Sequence, residues 1–355
     1  MKSARYYGPQ DVRIEEVETP PVGPLEVRVD VDSCGICGTD LHEYRDGPIF
    51  TPDDAHPITG VRVPVLGHEF SGIVSETGRD VSRLESGDRV VVHPNVPCHD
   101  CTYCEAGSYR RCPNAVAIGL QTATGGFGEH AVVPEQQVHR LPDDVSLSSA
   151  ALVEPLAVGL HAVRRSPLQT GDTVAVFGAG PIGLSVAWAA DRAGATSLLV
   201  SEPSRHRRSA AIAVGADDAI DPFETDPVED VRTRTVDGVD VAFEFAGIPE
   251  TVDAAIRSTR RGGTVVVGSV WNRPTRVDLN DVVGAEREIR GTNCYGFPPR
   301  SFRTEFDAAI RSLADGDVDP DAFVTGTISL ENLVEDGFER LLEDGTDHVK
   351  ILVEP

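Results

Sequence analysis

Four cysteines lie close together in the pattern Cys98-x2-Cys101-x2-Cys104-x7-Cys112. Four thiolates at this spacing can surround one tetrahedral Zn²⁺, and a shell closed by four protein ligands is typical of a structural site. An iron–sulfur cluster also uses Cys-x2-Cys-x2-Cys, but bacterial ferredoxins place the fourth cysteine after three residues, not seven. Disulfides are a further alternative, although they require an oxidising compartment. The pattern favours a structural zinc ion in a lobe at about residues 95–113.

A second set of metal-binding residue types is scattered along the chain: Cys37, His68, Glu69 and Glu154. A catalytic zinc ion needs three protein ligands and one open position, and mixed Cys, His and carboxylate sets are suitable. Each residue also has a simpler interpretation. Cys37 forms a CxxC pair with Cys34, His68 could be a core histidine, and Glu154 could be an acid at a helix N-terminus. Residue types alone leave these alternatives open.

The segment TVAVFGAGPIG, residues 173–183, has the features of a dinucleotide-binding turn. Its first half is a short apolar run with β-branched residues, which favours a buried strand over a buried helix. The glycines that follow are in the GxGxxG register, which lets the backbone approach a pyrophosphate and directs a helix N-terminus at it. The residues expected to contact the cofactor here are Gly178, Gly180, Pro181, Ile182 and Gly183.

Glu202 ends the next apolar run, SLLVSE, 19 residues after Gly183. A carboxylate at this place accepts hydrogen bonds from ribose hydroxyls and repels a 2′-phosphate, so NAD is favoured over NADP. Nearby arginines complicate this interpretation, because an arginine can hold a phosphate or stack on adenine, or can simply be a solvated helix residue. They are Arg205, Arg207 and Arg208, of which Arg207 is assigned to the cofactor site.

These residues require two kinds of supporting structure, so the predicted fold class is α/β. Residues 1–155 consist of short alternating runs broken by Gly and Pro, which predict a β-barrel-like domain without intervening helices. Residues 156–293 alternate strands and helices, including helices over 184–193 and from the N-cap Ser204 to Gly215, which predicts a doubly wound parallel sheet. Residues 294–355 return to mixed structure. The predicted strands are 173–177, 197–201, 217–220, 239–244, 264–268 and 287–291.

Composition limits the classes of partner. The chain has 355 residues and a net charge of −25, which argues against nucleic acid and anionic membranes as partners. The N-terminus has no apolar h-region, so we expect a cytoplasmic protein. All basic residues except Lys2 and Lys350 are arginines, and the acidic surface resembles that of salt-adapted archaeal proteins. Screening of the self-repulsion by about 1 M salt would suit such a surface.

Five motifs, in the right order and spread over the whole chain, resemble the zinc-dependent medium-chain alcohol dehydrogenases. The segment GHEFSGIVSETG fits the family signature GHE-x2-G-x5-G without a mismatch. The others are CGICGTD, the four-cysteine lobe, EPLAVGLHA and the glycine turn. The resemblance implies a GroES-like catalytic domain, residues 1–155 with the tail 294–355, interrupted by a Rossmann domain at 156–293.

The resemblance also implies roles for individual residues. Cys37 and His68 match catalytic zinc ligands, and Glu69 matches a carboxylate that is a direct ligand in some members. Glu154 stands where the liver-type enzymes have a third-ligand cysteine, a substitution typical of the polyol, butanediol and threonine dehydrogenase branch. Thr39 and His42 match the hydroxyl and the imidazole that relay the substrate proton to solvent. The implied cofactors are two Zn²⁺ ions, one catalytic and one structural, and NAD.

The implied reaction is reversible oxidation of a secondary alcohol to a ketone. The loop between Gly47 and Pro64 resembles that of butanediol-oxidising members, which favours a vicinal diol or acetoin; Tyr44 and Phe50 are candidates for lining the pocket. Sorbitol-like polyols, L-threonine and glucose are the alternative substrates, and a non-catalytic nucleotide-binding member is the alternative of another class. The resemblance further implies a homo-oligomer, a dimer or tetramer.

Overall fold

The structure is a computed structural model that describes residues 1–271, 273–296, 304–343 and 345–355. Within these ranges it has one seven-stranded sheet, one six-stranded sheet and two ribbons of two strands each. No helix in these ranges is both long and apolar enough to cross a membrane.

The strands follow one another along the chain in this order: β1 (Lys2–Gly8), β2 (Asp11–Glu16), β3 (Glu26–Gly35), β4 (Glu69–Thr77), β5 (Arg89–Val92), β6 (Asn95–Val96), β7 (Val116–Ala117), β8 (His130–Pro134), β9 (Val138–Arg140), β10 (Thr173–Phe177), β11 (Ser197–Ser201), β12 (Asp218–Ile220), β13 (Val239–Glu244), β14 (Thr259–Val267), β15 (Glu288–Gly291), β16 (Val324–Ser329) and β17 (Lys350–Glu354).

The α-helices are mostly short, and a π-helical segment, Leu333–Glu339, precedes the last of them. They are α1 (Gly38–Asp46), α2 (Thr102–Glu105), α3 (Leu147–Ala150), α4 (Val153–Arg165), α5 (Pro181–Arg192), α6 (Arg205–Ala213), α7 (Pro227–Arg234), α8 (Pro249–Ser258), α9 (Leu279–Val283), α10 (Glu305–Ala314) and α11 (Arg340–Leu342).

The seven-stranded sheet joins strands from both ends of the chain. Its order is β16-β17-β3-β4-β5-β9, with β8 also paired to β3. Strand β3 alternates inward and outward residues: Val27 and Val29 are fully buried, whereas Asp30 is exposed. This period of two is typical of a sheet with one face on the core. The antiparallel pairing of β17 with β3, Leu352 opposite Gly35, places the end of the chain beside β3, on the side opposite strand β4.

The six-stranded sheet is parallel throughout and has the order β12-β11-β10-β13-β14-β15. Strand β10 is continuously apolar, and Val174 to Phe177 are all buried because helices cover both faces of the sheet. The strand order reverses beside β10, where a doubly wound sheet binds its ligand. The predicted α/β class, with a barrel-like domain and a doubly wound sheet, is confirmed.

The structure differs from the sequence-based expectation in several elements. Helices α1, α2 and α3 lie within residues 1–155, where no intervening helices were expected, and β14 begins at Thr259, five residues before the predicted start at 264. The first domain contains helix α1, which the pattern of short strands did not predict, because its sequence GTDLHEYRD has little apolar periodicity. This helix is held instead by a capping box between Cys37 and Asp40. Helix α5 begins at Pro181, three residues before the predicted start, because proline is favoured in the first helical turn.

Candidate active site

The four cysteines of the lobe converge at one point. The sulfur atoms of Cys98, Cys101, Cys104 and Cys112 all lie within 4.8 Å of one another, and the Cys98 and Cys112 sulfurs are 3.4 Å apart. All seven cysteines of the chain are free, so disulfide pairing is not adopted. The lobe has little regular structure: β6 pairs with β7, and the short helix α2 starts just after Cys101. The donors therefore fit one tetrahedrally bound zinc ion.

The scattered set converges as well. Donor atoms of Cys37, His68 and Glu69 all lie within 4.8 Å of one another. Strand pairing explains this arrangement, because Gly35 at the end of β3 lies opposite Glu69 at the start of β4. Cys37 follows β3 by two residues as the N-cap of α1, and His68 immediately precedes β4. The sheet thus brings together residues that are about 30 positions apart in the sequence.

Asp40 orients two of these residues. Its Oδ2 accepts a hydrogen bond from the Cys37 backbone N–H at 3.0 Å, and its Oδ1 lies 3.5 Å from His68 Nδ1. Burial opposes protonation of the His68 ring, but the neighbouring Asp40 and Cys37 raise its pKa well above the ordinary value. A carboxylate behind a metal-binding imidazole fixes the ring orientation. The sequence analysis missed Asp40, although its place in the CGTD motif was a usable signal.

Lys350 holds the other side of the site. Its Nζ lies 2.5 Å from Glu69 Oε2 and donates to the Ile36 carbonyl at 2.8 Å, and both side chains are almost completely buried. Burial lowers the pKa of Lys350, but the charge of Glu69 more than compensates and raises it. Gly35 leaves room for the pair, because a Cβ there would collide with the Glu69 carboxylate. The sequence analysis missed Lys350, although it is one of only two lysines.

Glu154, in the first turn of α4, lies near this set but is not one of the mutually close donors. Burial and the charge of Glu69 raise its pKa to about 7. Burial and Glu154 in turn raise the pKa of the Tyr295 hydroxyl well above its usual value and that of the Cys294 thiol to about 11. Tyr295 and Cys294 are further neighbours that the sequence analysis did not single out. The role of Glu154 stays a prediction.

The chemistry of this donor set fits a divalent cation. Glu69 Oε1 is buried and has no hydrogen-bond partner in the described part of the chain. Burial, with Glu69 as a further cause, also raises the pKa of the Cys37 thiol. A cation among these groups would stabilise the ionised thiol and carboxylate that burial disfavours. One sulfur, one nitrogen and one oxygen donor are ligand types that zinc accepts.

Helix α1 carries the two residues of the predicted proton path. Thr39 and His42 are three positions apart, so they lie on the same face of the helix, and both are half-buried. His42 Nδ1 is buried without a hydrogen-bond partner among the described residues. Burial, followed by the charge of Arg45, lowers the pKa of His42. A ring of this kind is neutral and free to accept a proton at neutral pH.

Three glycines lie in the turn between β10 and α5 and the start of the helix, and each occupies a different steric environment. Gly178 has a φ of 94°, and a Cβ on Gly183 would collide with the Gly178 carbonyl. A Cβ on Gly180 would instead meet open space, so this residue faces the place where a ligand could lie. Helix α5 has no acidic residue in its first turn, which leaves its N-terminus suited to an anion.

Glu202 follows β11 and braces this turn. Its Oε2 accepts a hydrogen bond from the Ala179 backbone N–H at 2.7 Å, and its Oε1 accepts one from Ser204 at 3.0 Å. Ser204 is the N-cap of α6, as expected. The guanidinium of Arg207 donates two hydrogen bonds, at 3.1 and 3.0 Å, to the backbone carbonyl of His348. Cofactor contact by Arg207 stays a prediction.

A cleft of about 750 Å³ lies next to the loop that follows α1, and its lining residues are Arg45, Asp46, Pro48, Ile49, Trp271 and Arg273. Tyr44 and Phe50 are not among these lining residues, and their place in a substrate pocket stays a prediction. Tyr44 is buried against the Phe338 ring, with centroids 5.2 Å apart, because the apolar side of α1 packs on the core. Phe50 is partly exposed at the surface.

Comparison with known proteins assigns the family. Residues 23–143 match the alcohol dehydrogenase GroES-like domain, and residues 181–315 match the zinc-binding dehydrogenase domain. The chain is 43% identical to the (R,R)-butanediol dehydrogenase of Bacillus subtilis (strain 168), and the match covers 100% of both proteins. The chain belongs to the zinc-dependent medium-chain alcohol dehydrogenases. This dehydrogenase is therefore an oxidoreductase, as the motifs predicted.

Solved structures agree on the fold. The crystal structure of 2R,3R-butanediol dehydrogenase from Bacillus subtilis superposes with a TM-score of 0.90 at 42% identity, covering 100% of this chain and 99% of that chain. A zinc-binding dehydrogenase from Sinorhizobium meliloti 1021, bound to NADP, superposes with a TM-score of 0.88 at 33% identity, again covering 100% and 99%. Dinucleotide binding is thus found among the structural neighbours of this dehydrogenase.

Proposed function

We propose that this dehydrogenase reversibly oxidises a vicinal secondary diol to a hydroxyketone, with 2,3-butanediol and acetoin as the leading substrate pair. The observation that carries the reaction class is the convergence of Cys37, His68 and Glu69 beside helix α1. The choice of a diol is supported by the full-length similarity to a butanediol dehydrogenase. It is also supported by the loop that follows Gly47.

The cofactors that we propose are two zinc ions and NAD. When bound, the catalytic zinc supplies a Lewis acid that stabilises an alkoxide, and the nicotinamide supplies a hydride acceptor. Cys37 and His68, with Glu69 or Glu154, would hold the catalytic ion; the four cysteines of the lobe would hold the structural one. Glu202 supports NAD over NADP, because a buried carboxylate just after β11 would repel a 2′-phosphate bound near it.

We assign the proton path to Thr39 and His42. The Thr39 hydroxyl can accept the alcohol proton and pass its own to His42, which lies about one turn further along helix α1. The lowered pKa of His42 keeps its ring able to accept this proton at neutral pH. Asp40 and Lys350 act behind the site by orienting His68 and Glu69.

A substrate panel in high salt tests the function. NAD reduction is measured with 2,3-butanediol, sorbitol, L-threonine and glucose, with and without a zinc chelator. We expect the highest kcat/KM for 2,3-butanediol and loss of turnover with the chelator. A higher value for sorbitol, threonine or glucose would replace the diol with that substrate. If zinc is present at both sites and no substrate is oxidised, the non-catalytic, nucleotide-binding alternative would be favoured.

Three further proposals concern the whole molecule. We divide it into a catalytic domain (1–155), a Rossmann domain (156–293) and a C-terminal segment (294–355) that returns to the catalytic domain. We also propose that the protein is cytoplasmic and adapted to high salt. The net charge of −25 supports salt adaptation; days of stable folding in low-salt buffer would contradict it. The chain is also proposed to form a homo-oligomer, because β15 is an edge strand with exposed Ile289, and helix α9, which precedes it in the sequence, exposes Leu279 and Val283. Light scattering would test this, and a monomer would contradict it.

A further inference from the structure

Glu43 is a buried acid with an unusual set of partners. It follows His42 in helix α1 and is fully buried. Every hydrogen bond that its carboxylate makes in the described structure comes from one loop, residues 49–51. The backbone N–H groups of Ile49, Phe50 and Thr51 donate to it at 2.5 to 3.2 Å, and the Thr51 hydroxyl donates at 2.6 Å.

The geometry is that of a backbone segment wrapped around a negative charge. Three successive amides converge on one carboxylate, and hydrogen bonds to a charged acceptor are stronger than those between neutral groups. A neutral amide side chain of the same size could not replace it, because its NH₂ group would face donors. The carboxylate thus fixes the path of residues 49–51.

The loop is also held from other directions. Gln121 donates from Nε2 to the Phe50 carbonyl at 2.9 Å, and the Tyr6 hydroxyl donates to the Glu43 carbonyl at 2.9 Å. Gly47, where the loop begins, has no room for a side chain: a Cβ would lie 2.5 Å from the Glu43 carbonyl oxygen and 2.7 Å from its Oε2. The loop and helix α1 therefore form one rigid unit.

This unit forms one wall of the cleft described above. Pro48 and Ile49 belong to the loop, and Trp271 is another of the residues that line the cleft. The same helix carries Thr39 and His42, so any movement of the loop relative to α1 changes the distance between the proton path and the wall. The width of the cleft then depends on whether Glu43 holds the loop.

We propose that Glu43 is a positioning residue that sets substrate selectivity, by holding the loop at residues 49–51 so that the cleft fits a short diol and excludes longer polyols. This inference rests on the proposed function for the identity of the substrate, but not for the hold of Glu43 on the loop. It assigns Glu43 no contact with the reacting atoms.

The test compares Glu43→Gln with wild-type holoenzyme at high salt. Amide hydrogen exchange at residues 49–51 should become at least about 10-fold faster. The KM for the diol that the wild type prefers should rise about 10-fold with kcat within about 2-fold, and the kcat/KM ratio of that diol to sorbitol should fall about 10-fold. Zinc content and the pH profile should not change. Exposed Glu18→Gln is the matched control, with wild-type values expected.

Thr51→Val removes only the hydroxyl donor and keeps the shape of the side chain. It should raise the amide exchange rate at residues 49–51 and lower the kcat/KM ratio of the diol to sorbitol, each by about 3-fold. If Glu43→Gln does not fold, Thr51→Val takes its place in the test. Unchanged exchange at residues 49–51 would overturn the hold on the loop; faster exchange with an unchanged substrate ratio would overturn its role in selectivity. If the wild type oxidises no diol, the proposed function fails, and the exchange rates alone still decide whether Glu43 holds the loop.

Discussion

The two metal-binding clusters of this dehydrogenase are built in opposite ways. The lobe takes all four donors, Cys98 to Cys112, from one short segment with little regular structure. The other cluster takes Cys37, His68 and Glu69 from two strand ends, and its support comes from Asp40 and Lys350. The donors of the lobe are close together because they are close in the sequence, whereas the donors of the dispersed cluster are brought together by pairing of strands in the sheet.

This difference determines what each ion can do. A shell closed by four thiolates has no position for a substrate, so its binding energy contributes to folding. The dispersed cluster is assembled by strand pairing: β3 pairs with both β4 and β17 through backbone hydrogen bonds. The donors of this cluster therefore do not have to stabilise the fold and can hold a catalytic ion. Loss of an ion should unfold the first site and inactivate the second.

Cys37→Ser should produce the largest effect on activity. Removal of a proposed catalytic ligand forfeits several kcal/mol of charge stabilisation, so we expect kcat/KM to fall by about 10³-fold or more. One of two zinc equivalents should be lost by elemental analysis, while Tm and NAD binding stay close to wild type. Activity within about 10-fold of wild type would remove Cys37 from the catalytic set.

Lys350→Met should be the most destabilising change in the dispersed cluster. It leaves the Glu69 carboxylate buried without its cation, and breaking a buried ion pair in this way costs about 3 to 5 kcal/mol. Chemical denaturation in high salt measures this loss. The matched control is Lys2→Met, because Lys2 forms an exposed pair with Glu331 that should contribute no more than about 1 kcal/mol. Equal effects of the two substitutions would contradict the structural role of Lys350.

Cys101→Ser should act on stability before activity. Loss of the lobe's ion should cost about 3 kcal/mol, which for a chain of 355 residues is a fall in Tm of roughly 4 °C. At temperatures where the variant stays folded, kcat should lie within about 3-fold of wild type. Differential scanning calorimetry and a rate assay on the same sample distinguish the two effects. A variant that keeps its Tm but loses turnover would reverse the assignment of the two sites.

Much of the fold was predictable because it depends on local sequence. Strands β10, β11 and β13 lie where short apolar runs predicted them, and Ser204 caps helix α6 as expected. The four-cysteine cluster was also visible, since its spacing alone brings the thiols together. These features need no information about contacts between distant segments.

The rest depends on strand register, which single-sequence patterns do not contain. Lys350 and Tyr295 belong to the site only because the fold places them near Glu69 and Glu154. Helix α1 was missed because a capping box and packing by Tyr44, not periodicity, stabilise it. The roles assigned to individual site residues remain predictions that the substitutions above test.

His42→Gln should give the smallest effect and should depend on pH. Because the pKa of His42 is lowered, its ring stays neutral to a lower pH than an ordinary histidine, and alcohol oxidation should decline only as the pH falls through that lowered pKa. Replacement by glutamine removes the titrating base, so kcat/KM at neutral pH should fall about 10-fold and this acid-side decline should disappear.

The pH profile of kcat/KM, measured in high salt with the zinc content checked at each pH, separates this effect from metal loss. His130→Gln is the control, because this partly exposed histidine lies in strand β8 with its Nδ1 2.8 Å from the Asp30 carboxylate. A profile that His42→Gln does not change would mean that water, and not this imidazole, takes the proton from Thr39. Proton transfer would then need no titrating residue beside the dispersed cluster. The dispersed cluster and the lobe would differ in their metal ligands alone.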